Sequence, residues 1–169
     1  MVLLWVWLAA VSAAVGQAGG QVGNIQTDDS LMAMGRRYFE QHDAERAMAC
    51  FLPVSSRQGD DSTTVRLRVR ALNNIGCVYK YLQQDYIKGY DSFMQAYQLC
   101  EASGDQEFLA VIMVNLGDLL GDYGVGSSSQ PLAQQSHDIF DKCISLAFER
   151  GNWDLMTTAF FNLATRSEE

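Results

Sequence analysis

Proline occurs only twice in the 169 residues, at Pro53 and Pro131, and β-branched residues seldom alternate with polar ones. A chain without helix breakers and without a two-residue apolar period does not read as strands, so helices are the expected element. Histidine is equally scarce. His42 and His137 stand alone, no H-E-x-x-H occurs, and the four cysteines (Cys50, Cys77, Cys100 and Cys143) form no C-x-x-C pair. Those absences remove the common zinc and dithiol constellations. There is no G-x-S-x-G, and the glycine-rich stretch GDYGVGSSSQ (121–130) lacks the lysine of a phosphate-binding loop. It is expected to be a flexible connection between helices. The expectation is a protein with no catalytic residue, no metal and no cofactor.

A basic excess is also missing. The net charge is −8, and it is unevenly spread: seven arginines balance seven acids over 28–70, whereas five basic residues face thirteen acids over 71–169. An acidic body repels phosphate backbones, so nucleic acid is not an expected partner. The first sixteen residues, MVLLWVWLAAVSAAVG, contain no charge at all. The apolar run from Val2 to Val15 is short for a bilayer span but suits a signal-peptide core, with small residues for cleavage around Gly16 and Ala18. The expected organisation is therefore an export signal over 1–18, a linker over 19–27 and a helical domain over 28–169. The mature protein would be periplasmic or otherwise extracytoplasmic, with no stable membrane span. A buried N-terminal helix is the alternative for the first segment. For the cysteines, buried thiols are expected, with one disulfide between adjacent helices as the alternative in an exported chain.

What the chain does contain is a period. Leu31, Met34, Gly35 and Tyr38 stand at i, i+3, i+4 and i+7; Leu72, Ile75, Gly76 and Tyr79 repeat the offsets 41 residues on; Met113, Leu116, Gly117 and Leu120 follow after another 41. Each glycine falls inside a helical pattern, where it costs about 1 kcal/mol relative to alanine. Its use three times at one register position predicts that a second helix crosses there too closely for a Cβ. A partner stripe follows each quartet: Ala47 and Phe51, then Gly89, Phe93 and Ala96, then Phe140, Cys143 and Ala147. Pro131 suits the first turn of its helix, while Pro53 predicts a bend or stop near Leu52. Asp43, after His42, can cap a helix that begins there.

These residues resemble the tetratricopeptide repeat family, in which a large apolar residue, a glycine and a tyrosine on one helix precede a small residue and an aromatic on the next. The match is in type and spacing for Leu31, Met34, Gly35, Tyr38, Ala47 and Phe51. It holds for Leu72, Ile75, Gly76, Tyr79, Gly89, Phe93 and Ala96 after one extra residue, expected at Gln83–Gln84. It holds for Leu116, Gly117, Phe140 and Cys143 after an insertion of seven. A fourth first helix is expected from Leu155. The resemblance implies an all-α, right-handed superhelical solenoid of antiparallel helix hairpins, with about three to three and a half repeats. It also implies a non-enzymatic scaffold that binds a protein or peptide on the concave face. By the family's register the exposed groove positions are Met32, Arg36, Phe39 and Glu40, then Arg70, Asn73, Cys77, Lys80 and Tyr81, then Val111, Val114, Asp118 and Asp122. The lysines and asparagines with which some members hold a C-terminal carboxylate are replaced at Met32, Arg36 and Val111, so that clamp is not expected. The phrases FLPVSS and ALNNIG also resemble the exported N-terminal region of longer bacterial regulators. That likeness implies an alternative: the sensory part of a truncated signalling protein. Phe161, apolar on the outer face of the last helix where a cap would be polar, implies that the array continues.

Overall fold

The computed structural model describes residues 22–166, and the expected export segment lies outside them. Among the described residues every regular element is a helix: α1 (Val22–Glu40), α2 (Ala44–Ser55), α3 (Ser62–Cys77), α4 (Tyr86–Ser103), α5 (Gln106–Ser127), α6 (Gln130–Glu149) and α7 (Trp153–Arg166). A π-helical segment, Val78–Gln83, prolongs α3. The protein is all-α. Helix α1 begins six residues before Asp28, so part of the expected linker is helical. Asp28 is buried within that helix, where the Arg57 guanidinium donates to both of its carboxylate oxygens.

Aspartates start the helices. The carboxylates of Asp43, Asp61, Asp85 and Asp105 accept from the backbone N–H of Arg46, Thr64, Lys88 and Phe108, at 2.9, 3.0, 3.0 and 3.2 Å. Each satisfies one of the donors that a first turn leaves without a helical partner. Pro131 sits in the first turn of α6, as expected. Pro53 does not stop α2 at Leu52: the helix runs on to Ser55. Proline lies in the last turn there, and the Leu52 carbonyl beside it accepts from the Ser56 N–H and from the hydroxyls of Ser55 and Ser56.

Each helix packs chiefly against its neighbours in sequence. The closest approaches fall at the three periodic glycines. A Cβ on Gly35 would meet the Phe51 ring, one on Gly76 would lie 2.5 Å from Phe93 Cε1, and one on Gly117 would lie 3.0 Å from the Phe140 ring. All three rings are sealed from solvent. The expected exclusion of a Cβ is thus met, and the group that excludes it is an aromatic side chain rather than backbone. Met34 departs from its expected place: it is exposed, and Met32 fills the core instead.

The insertions are resolved by helix geometry. Residues with positive φ, His42, Gln84 and Ser128, mark equivalent turns. They lie seven, eight and eleven residues after the periodic glycine, and the phenylalanine follows nine, nine and twelve residues later. The extra residue in the second unit is therefore not in the turn at Gln83–Gln84 but upstream, where the π-helical segment absorbs it. The seven extra residues of the third unit divide into four before the turn and three after it. That is about one turn added to each helix. Consequently 121–127 is helical and only Ser128 and Ser129 connect, contrary to the expected loop. Gly124 allows the extension to pack, since a Cβ there would lie 3.0 Å from the Ala133 backbone nitrogen.

Helix α5 is long and apolar enough over Phe108–Ser127 to cross a membrane, but over half of it is buried inside the protein. That burial explains its composition: α4, α6 and α7 all pack on it.

All four cysteines are free thiols, with Cys50, Cys100 and Cys143 buried and Cys77 half-buried. Burial pushes Cys77, Cys100 and Cys143 up to about 12 and raises Cys50, because a thiolate loses hydration there. Titration of the native protein with a disulfide reagent at neutral pH should show no fast-reacting thiol, and four after denaturation. Fast native labelling would contradict this packing.

Candidate functional site

Three contacts align α3 and α5 in the same direction. Near their starts Arg66 Nε donates to Asp105 at 2.9 Å; in mid-helix Asn115 Nδ2 donates to Asn73 Oδ1 at 2.8 Å; near the end of α3 the Lys80 ammonium meets Asp118. On the other side the rings of Phe39 and Tyr81 meet edge to face, 6.5 Å apart, joining α1 to the π-helical segment. Helices α1, α3 and α5 thereby carry a strip of linked side chains that includes Phe39, Tyr81, Asn73, Lys80 and Asp118.

At its acidic end the strip is closed by internal pairing. Lys80 is buried, against the expected exposure, and pairs with Asp118 and, at 2.9 Å, with Asp122. The Tyr81 hydroxyl donates to Asp118 at 2.7 Å, and the Lys80 ammonium stands 4.6 Å from the centre of the Tyr81 ring. Burial raises the Tyr81 phenol well above its usual range, with the negative charge of Asp118 next in effect. A lysine so desolvated is tolerable only when charge and hydrogen bonds compensate it, and here two carboxylates and a ring face do so. The π-helical segment supplies the geometry, because its wider turn carries Lys80 and Tyr81 in consecutive positions to the same carboxylate.

Asn73 is likewise buried rather than exposed, held by Asn115, and Met32 and Val114 are core residues. Met32 joins the core cluster of Phe51, Ala71 and Ile75, and Val114 that of Val69, Ile112 and Leu119. Arg36, Phe39 and Arg70 remain half-exposed, as do Tyr81, Asp118 and Asp122. Arg36 and Arg70 have no ion pair among the described residues, although Asp29 partly offsets Arg70. Burial lowers the Arg70 guanidinium from its usual value, and repulsion from Arg36 and Arg66 adds to it. Asn115 was not among the expected site residues. A signal existed, for it stands one repeat length, 41 residues, after Asn74, the neighbour of Asn73.

His42 lies in the turn before α2 and His137 is half-buried on α6; among the described residues no three His, Cys, Asp or Glu side chains converge on a metal-sized site. No protein-family model matches the chain, and no curated protein matches it either.

Proposed function

We propose that the chain is a non-enzymatic scaffold built as a solenoid of tetratricopeptide-like helix hairpins, which binds a protein or peptide along the strip formed by α1, α3 and α5. The observation that carries this reading is the alignment of those three helices by Phe39–Tyr81, Asn73–Asn115 and Lys80–Asp118. Three glycines at a spacing of 41, each packed against a buried phenylalanine of the next helix, support the repeat architecture. Stacked repeats bury a continuous core and leave the first helices as an extended surface for a ligand. The proposed site is periplasmic or extracytoplasmic, following the uncharged N-terminal segment.

Selection of a displayed peptide library on the full chain tests the reading. Selected peptides should bind the wild type and lose affinity for a Phe39→Ala variant of unchanged helicity. Failure to enrich any peptide, or enrichment insensitive to that change, would overturn the groove.

A second reading has one observation in its favour. Phe148, Trp153, Phe160 and Phe161 are all exposed near the last helix, Phe148 and Trp153 meeting edge to face at 6.1 Å. Such an apolar surface suits a further helix of a longer sensory regulator, whose ligand alters the stacking of repeats.

A further inference from the structure

The internal pairing of the acidic end changes what the strip can hold. A ligand with separated positive and negative ends would find Asp118 already occupied by Lys80 and Tyr81. The basic end is different. Arg36 on α1 and Arg70 on α3 carry full charges, and neither has an ion-pair partner among the described residues; Arg66, one turn before Arg70, is taken by Asp105. Beside Arg70, three residues on, Asn73 uses its carbonyl oxygen for Asn115, which leaves its amide N–H groups without a protein acceptor among the described residues. Asn73 itself is 7% exposed.

We propose that Arg36, Arg70 and the Asn73 amide seat the side-chain carboxylates of an acidic peptide segment, with Phe39 beside them as the apolar contact. The inference rests on the groove reading above and specifies the ligand class. Guanidinium groups match carboxylates in shape and charge, and a desolvated pair is worth more than the same pair in water. Burial lowers the Arg70 guanidinium, Arg36 and Arg66 repel it further, and Asp29 offsets only part of that. An acidic ligand would relieve that repulsion. The stability of the empty protein would then be lower than its packing permits, which is the signature of a site kept for binding rather than for folding.

The experiment measures fluorescence anisotropy of the full chain with a labelled, C-terminally amidated peptide of alternating glutamate and leucine, and with its glutamine counterpart. Amidation removes the terminal carboxylate, so side-chain recognition alone is read. The glutamate peptide should bind, weaken as ionic strength rises, and lose about tenfold or more in affinity with Arg36→Gln or Arg70→Gln. Neither variant should melt below the wild type, whereas a structural arginine would lower the melting temperature when removed. Equal binding of the two peptides, or affinity indifferent to both substitutions, overturns the acidic-ligand inference and leaves the groove standing if Phe39→Ala still abolishes it. If no peptide binds in this assay or in library selection, the groove reading falls as well.

Discussion

Replacing Gly76 with leucine should destabilise the protein by about 3 kcal/mol or more, the upper range for overpacking a core. For a domain of this size that corresponds to a melting temperature lower by roughly 6–12 °C. The magnitude follows from what the side chain would meet. A Cβ at position 76 already lies 2.5 Å from Phe93 Cε1, and Phe93 is fully buried, so its ring has no solvent to move into. Alanine is the more instructive substitution. Removing a mid-helix glycine should favour folding by about 1 kcal/mol, so the clash must exceed that gain before the protein suffers. At Gly76 it should, and at Gly35 too. At Gly117, where the nearest ring atom is 3.0 Å away, the two effects should nearly cancel. Thermal melts of the three alanine variants test this order. An unchanged melting temperature for Gly76→Ala would refute the close approach, and partial recovery in a Gly76→Ala/Phe93→Leu double variant would localise it.

The second large effect is expected at the buried lysine. Changing Asp118 and Asp122 together to alanine strands the Lys80 ammonium, which is almost wholly sealed from water. Breaking a buried pair from one side costs about 3–5 kcal/mol, chiefly the desolvation of the charge left behind. The reverse change, Lys80→Met, should be milder. Asp118 keeps the Tyr81 hydroxyl and Asp122 reaches solvent, so neither carboxylate is stranded to the same degree. The methionine would also pack where the lysine stem lay. Chemical denaturation of the two variants decides the matter: equal losses, or a greater loss for Lys80→Met, would mean that the pair is not held together by burial of the cation.

Much of this was legible in the chain itself. Helices follow from the scarcity of proline and the absence of a two-residue period, and the turn aspartates, Asp43 among them, follow from the chemistry of helix starts. The close approaches at the glycines were legible because one register position carries the same unfavourable residue three times, whereas the phenylalanine that fills each was not. The insertions were not. A residue count cannot say whether seven extra residues make a loop or lengthen two helices, and GDYGVGSSSQ has the composition of a loop. Its helical state is decided by α6 packing along it, which repays the low propensity of Gly121, Gly124 and Gly126.

The candidate strip divides along the same line. The resemblance to the repeat family placed Arg36, Phe39, Arg70, Asn73, Lys80, Tyr81, Asp118 and Asp122 along one expected groove. Whether each of them faces water or a partner was decided only in the tertiary structure. Lys80 reads as a solvated cation in one dimension, since nothing near it in sequence announces Asp118, 38 residues away. Burial and pairing depend on how far apart two helices settle. Between α1 and α2, α3 and α4, and α5 and α6 that distance is set by the rings beneath Gly35, Gly76 and Gly117, while the π-helical turn places Lys80 against Asp118.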